Sequence, residues 1–215
     1  MDLLLLKSCH RALICIHTLP TSHPLHDICS YHSCHAWKHW SLLHKLLTHF
    51  PLINPLCTET ICPSIFPPLF SAPFDTSITA NRDDSMNKEQ ADDPEIKVFT
   101  DGSGLNSQVG ATVVLYHRGN PRPQKVLRLH LGSLLEHTSY KGEAVGLLLE
   151  VWMLWNEHIA SILPILIYTN SQALINRIMN TSAKPAQYLT NEILSLSQII
   201  NSCNVAPGKK PFSLK

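Results

Sequence analysis

Past residue 62 the chain holds a single cysteine, Cys203; the other six lie before residue 63. A domain in the second half therefore needs no disulfide framework and reads as an intracellular fold. Long uncharged apolar runs are also missing. The nearest approach, Leu147 to Leu154, is interrupted by Glu150. The opening Met-Asp-Leu-Leu-Leu-Leu-Lys is too short to span a bilayer, and it lacks the positive start and small-residue cleavage site of a secretory signal. Neither a membrane span nor a signal peptide is expected. Acidic residues stop at Glu192. The formal net charge of +1, with histidine neutral, neither demands nor excludes a nucleic-acid partner.

Charge is scarce in residues 1–74, which are rich in Leu, Ser, His, Cys and Pro. Nine of the thirteen histidines fall before residue 50. His26, Cys29, His32, Cys34 and His35 form the densest cluster, a composition that suggests zinc. The spacing argues against it: four residues separate Cys29 from Cys34, and no second well-spaced pair follows. Residues 39–50 (Trp40, Leu42, Leu43, Leu46, Leu47) have helical periodicity. Prolines 51, 55, 63, 67, 68 and 73 then forbid a long regular element. The expectation for 1–74 is a disordered extension, with translated flanking DNA or a misassigned exon as a further reading of its composition. Residues 75–94 carry Asp83, Asp84, Asp92 and Asp93 among Ser, Asn and Gln, and read as an acidic linker.

From residue 95 the pattern becomes regular. Alternation puts Ile96, Val98 and Thr100 on one face of a strand and Lys97, Phe99 and Asp101 on the other. Gly102-Ser103-Gly104 predicts a sharp turn directly after Asp101, leaving the acid unshielded at a strand's carboxyl end. Further strands are predicted over 108–117 and 125–131, the latter with Leu127, Leu129 and Leu131 inward and Arg128 and His130 outward. Short turns between the three make an antiparallel meander. A helix follows, capped by Thr138 or by Ser133 in a capping box with Glu136. Tyr140, Ala144, Leu147, Val151, Leu154 and Trp155 form its buried stripe. Glu143 lies at the edge of that stripe, near the helix start. The apolar run 162–169 suits a central strand parallel to an earlier one, because it follows a helical crossover. Its end, Tyr168-Thr169-Asn170-Ser171, mirrors Phe99-Thr100-Asp101-Gly102. Asp101 and Asn170 should therefore sit side by side at two strand tips, with Glu143 approaching from the helix. Helices are predicted over 171–179, with Ala173, Leu174 and Ile178 inward, and over 186–201; residues 204–215 read as a loose basic tail.

Three motifs in this order and spacing resemble the type 1 ribonuclease H family: Asp101-Gly102-Ser103 after the first strand, Glu143 in the first long helix, and Thr169-Asn170-Ser171-Gln172-Ala173. Gly110-Ala111, His130-Leu131-Gly132, Glu136-His137-Thr138, Val145-Gly146-Leu147-Leu148 and Gln187-Tyr188-Leu189 look most like the ribonuclease H domains of fungal non-LTR retrotransposon polyproteins. The resemblance covers about half of the chain, residues 95–203. It implies an α/β fold with a mixed sheet flanked by helices. It also implies hydrolysis of the RNA strand of RNA–DNA hybrids with two Mg²⁺ (or Mn²⁺) ions held by carboxylates. Asp101 matches the acid that bridges both metals and Glu143 the second; Asn170 stands where the third, an aspartate, belongs. Gly102, Ser103, Gly104, Ser171 and Gln172 fall at substrate-contacting positions.

The fourth family carboxylate and the histidine of its preceding loop have no counterpart here, so the closing strand and helix are expected to be missing. Asn170 is neutral and does not offset a cation's charge, and two neighbouring divalent ions repel strongly without carboxylates between them. The expectation is a ribonuclease H-like fold with a weakened metal site and little or no cleavage. The alternatives are a non-catalytic remnant that binds hybrid weakly, or a zinc- or partner-binding protein acting through the His/Cys-rich leader.

Overall fold

The computed structural model describes residues 3–27, 31, 42–53, 58–67, 70–157, 164–180, 184–204 and 210–215. They form two compact units, one of residues 1–63 with 183–187 and one of 64–182 with 188–215. In the first unit, helix α1 (Leu3–His17) stands where composition led to an expectation of disorder, and helix α2 (Leu42–His49) falls within residues 39–50, the stretch with helical periodicity. Leu13 and His44 are buried, and the His10 ring meets Phe50 edge-on at 5.2 Å. Of the suggested zinc cluster, Cys29, His32, Cys34 and His35 lie outside the described residues.

The second unit is α/β, built on a six-stranded mixed sheet flanked by helices. Its strands are β1 (Asp75–Thr76), β2 (Ile96–Leu105), β3 (Gln108–His117), β4 (Lys125–Ser133), β5 (Ile165–Thr169) and β6 (Ser213–Leu214), in the order β1-β6-β5-β2-β3-β4. β2, β3 and β4 are antiparallel; β5 lies parallel to β2 and β6 parallel to β5. Between them run α3 (Arg82–Ala91), α4 (Ser139–Asn156), α5 (Gln172–Met179) and α6 (Gln187–Asn204). Three antiparallel strands, a helix and a parallel strand are the succession expected from the family resemblance.

Two expectations for the ends of this unit change. The tail does not hang loose: its Ser213 and Leu214 pair with β5 on one side and with β1 on the other. A short strand therefore occupies the place where none was expected. Phe212 stacks on Phe74 at 4.6 Å and Lys210 reaches Asp75 at 2.7 Å. The acidic linker likewise contains β1 and α3, the latter capped by Asn81, whose side chain accepts from the Asp84 amide at 2.8 Å. Sequence pattern misses both because neither strand exceeds two residues and α3 has no apolar stripe.

β2 divides the sheet into two faces. Ile96, Val98 and Thr100 are buried on one side, with Val109, Ala111 and Val113 of β3. Onto this side packs α4, burying Ala144, Leu147, Val151 and Leu154, four residues of the anticipated stripe. On the other side Lys97, Phe99, Val114, Tyr116 and Tyr168 are only half-buried. β4 is an edge strand, and the predicted inward set fails there: Leu129 is 44% exposed. A register shift opposite Val109/Gly110 leaves Leu131 as the extra residue, and alternation slips past it.

Candidate active site

What places Glu143 is a pair of glycines. A Cβ on Gly102 of β2 would lie 2.0 Å from the Glu143 backbone nitrogen, and a Cβ on Gly146 of α4 would lie 2.4 Å from Thr100 Oγ1. The first turns of α4 thus rest directly on the β2 backbone, closer than any larger residue allows. Thr138 caps the helix there, accepting from the Lys141 amide at 3.2 Å, so of the two candidate caps the later one serves. The predicted turn at Gly102–Gly104 does not form. β2 runs on through Leu105, and the chain reverses at Asn106 and Ser107, with φ of 50° and 61°, a two-residue type I′ hairpin. The glycines serve close approach, not reversal.

Asp101 is nonetheless at a strand end, that of its parallel partner. The β2–β5 pairing closes at Thr100 opposite Thr169, and the next residues of each chain are Asp101 and Asn170. Both are exposed, and Asn170 Nδ2 donates to Asp101 Oδ1 at 3.0 Å. Glu143 comes from the facing helix, and its Oε2 accepts from the Ser171 hydroxyl. Ser171 is 5% exposed and also caps α5, its Oγ accepting from the Leu174 amide at 3.2 Å. Asp101 and Asn170 open onto a cleft of ≈ 460 Å³ lined by Phe99, Thr112, Tyr168 and Ser85. Beside Glu143, burial raises the Tyr140 hydroxyl pKa, with Arg177 opposing and Glu143 reinforcing the shift. Arg177 is itself buried, which lowers its pKa. Lys141 Nζ lies 5.8 Å from the Tyr188 ring.

The donor set fits two divalent cations poorly. Among the described residues no three His, Cys, Asp or Glu side chains gather closely enough to hold a metal ion. Asp101 and Glu143 each already accept a hydrogen bond from a neighbour, an amide in one case and a hydroxyl in the other. An amide donor against Asp101 satisfies part of what a bound cation would, without adding charge.

Of the substrate positions named from sequence, Ser103, Gly104 and Gln172 are exposed, whereas Gly102 is covered by α4 and Ser171 is engaged with Glu143. Ala173 points outward rather than inward. Sequence reasoning did not single out Ser85, although a serine in an acidic helix offers no signal. It also gave Glu150 no structural role. This acid is wholly buried, and neither carboxyl oxygen has a hydrogen-bond partner among the described residues. Burial drives its pKa well above the usual carboxylate range. Its helical position, seven residues past Glu143 on the packed face, was the available clue.

No protein-family model matches the chain, and no curated relative matches it. Solved structures with some likeness include the ribonuclease H1 of the halophilic archaeon Halobacterium salinarum NRC-1, 11% identical, covering 56% of this chain and 83% of that one at a TM-score of 0.41. LC11-RNase H1 in complex with an RNA/DNA hybrid is 15% identical, with 56% and 84% covered and a TM-score of 0.42. The foamy viral protease-reverse transcriptase in complex with dsDNA is 14% identical, with 54% and 83% covered at 0.41. The fold itself is defined by the strand order and register. No described helix is long and apolar enough to cross a membrane.

Proposed function

We propose that residues 95–203 are a ribonuclease H-like, nucleic-acid-binding domain of retrotransposon origin whose hydrolytic centre is impaired. The family reaction uses Mg²⁺ or Mn²⁺ to cut the RNA strand of an RNA–DNA hybrid; this chain keeps the place and loses the charge. The single observation behind the reading is the Asn170 amide donating to Asp101 where a third carboxylate would face it. Asp101 and Glu143 are the retained acids, and Ser103, Gly104 and Gln172, which are exposed, are the residues assigned to an approaching strand. Gly102 and Ser171 act from beneath, one by letting α4 approach and the other by holding Glu143. The motif set from Ile96 to Asn201 supports the retrotransposon origin.

The test is binding and cleavage of a labelled RNA–DNA hybrid in Mg²⁺ and in Mn²⁺. The natural chain is expected to bind the hybrid and to cut it several powers of ten more slowly than an intact centre would. Asn170→Asp should restore measurable cleavage, and adding Asp101→Asn should abolish it again. Efficient cutting by the natural chain would overturn the role given to Asn170; absence of hybrid binding would overturn the nucleic-acid reading.

A further inference from the structure

We propose that α3 is a lid, held closed by polar bonds and an ion pair, over the cleft that leads to Asp101. Ser85 and Glu89 lie one turn apart on the same side of this helix. Ser85 lines the ≈ 460 Å³ cleft that also holds Asp101 and Asn170. Glu89 lines a second cavity, of ≈ 620 Å³, with Lys97, Tyr116 and Arg118. The two spaces share Phe99 and Val114. The helix therefore crosses the half-buried face of the sheet with unfilled room at both of these points.

Among the described residues nothing apolar fastens it. From Asp83 to Ala91 every side chain is exposed except Glu89, which is half-buried, and Met86 is 51% exposed. What holds it is polar. Lys97 Nζ, on β2, donates to the Glu89 carbonyl at 2.8 Å and to its carboxylate at 3.1 Å; Lys88 donates to Ser77 at 2.8 Å. Segments with few buried apolar groups open at small cost, and half-exposed ion pairs weaken with salt. When closed, the helix sets Ser85 in the wall of the cleft that holds Asp101, and the two residues before it, Asp83 and Asp84, make the first turn of the helix acidic. That arrangement excludes a polyanion from the very place where the function proposed above needs one. This last consequence rests on that reading; the lid itself does not.

Hydrogen exchange on the full chain tests it. At low salt the amides of Ser85–Ala91 should be measurably protected yet exchange faster than those of β2 and α4. In about 1 M salt, where the screening length is about 3 Å, they should speed up about fivefold relative to β2. Lys97→Met and Glu89→Gln, each removing one side of the ion pair, should produce the same acceleration at low salt while β2 and α4 stay unchanged. Protection of α3 equal to that of β2, no protection at low salt, or indifference to salt and to both substitutions would overturn the lid. Hybrid binding measured alongside separates the two ideas: exchange as described without hybrid binding leaves the lid standing and removes the nucleic-acid function.

Discussion

The two faces of β2 are held by opposite means. On one, Ile96, Val98 and Thr100 disappear under α4, which comes so near that Gly102 and Gly146 have no room for a methyl group. On the other, Phe99 stacks on Tyr168 at 5.1 Å and meets Tyr116 edge-on at 5.9 Å, but the rings stay half-exposed below a helix that buries nothing apolar. Dispersion and water release reward the first face in proportion to its tightness. The second is held by a handful of ion pairs that solvent and salt weaken. The acids of the candidate site straddle this divide. Glu143 belongs to the tight face; Asp101 projects from the loose one. Positioning of one is rigid, and access to the other is negotiable.

The strongest way to break the contrast is to crowd the tight face. Gly102→Ala puts a methyl group 2.0 Å from the Glu143 nitrogen, against helix backbone that has no side-chain torsion to yield. A loss of about 3 kcal/mol or more of folding stability is expected, at the upper end for overpacking. Urea unfolding should show it, and the neighbouring Ser103→Ala, on an exposed residue, should cost little. A small effect at Gly102 would mean that α4 does not rest on β2 as described.

Glu150 is the ionisable group for which the tight face is badly built. A carboxyl with no hydrogen-bond partner among the described residues, inside a core, is kept neutral by burial. Its folded pKa is raised, so the folded state retains a proton that the unfolded chain gives up. The natural protein should accordingly lose stability as pH rises above the ordinary glutamate range, until the raised value is reached. Glu150→Met should add about 1–3 kcal/mol near pH 8, with the gain shrinking as pH falls toward 4. Thermal or urea unfolding across that range measures it. A gain that ignores pH would show that Glu150 titrates like an exposed acid.

How much of this was legible beforehand follows the same division. The tight face was legible because alternation and helical spacing write themselves into sequence over many residues: β3 was bounded correctly, and Ala144, Leu147, Val151 and Leu154 were placed on α4's buried side. The meeting of Asp101 with Asn170 followed from two echoing strand ends, and hydrogen-bond geometry supplies the contact. The glycines of 102–104 were read as a turn because composition cannot separate reversal from close approach. The loose side was hardly legible at all. α3 has no apolar stripe, β6 is two residues long, and the side-chain attachments of the tail join residues more than a hundred positions apart.

One such attachment gives the smallest effect and the sharpest contrast with Glu150. Asp92, just past α3, accepts from Tyr168 at 2.9 Å and from Lys215 at 2.5 Å, tying linker, β5 and tail together. Partial burial pulls its pKa upward, but the bonds from Lys215 and Tyr168 and the nearby lysine charges outweigh that and hold it below the usual value. Here the folded pKa is depressed, so the stabilisation is complete above the ordinary aspartate range and drains away as pH falls through the lowered value. Asp92→Asn should therefore cost about 1 kcal/mol at neutral pH and nothing in strong acid, the reverse of the Glu150 profile. The loss should appear first as faster exchange at the Thr169 and Lys215 amides, whose ladder bonds pin β6 to β5 at 2.9 and 2.8 Å. If those two amides are unmoved, the tail is held by its strand pairing and by Phe212 stacked on Phe74, and the ionic clasp is incidental.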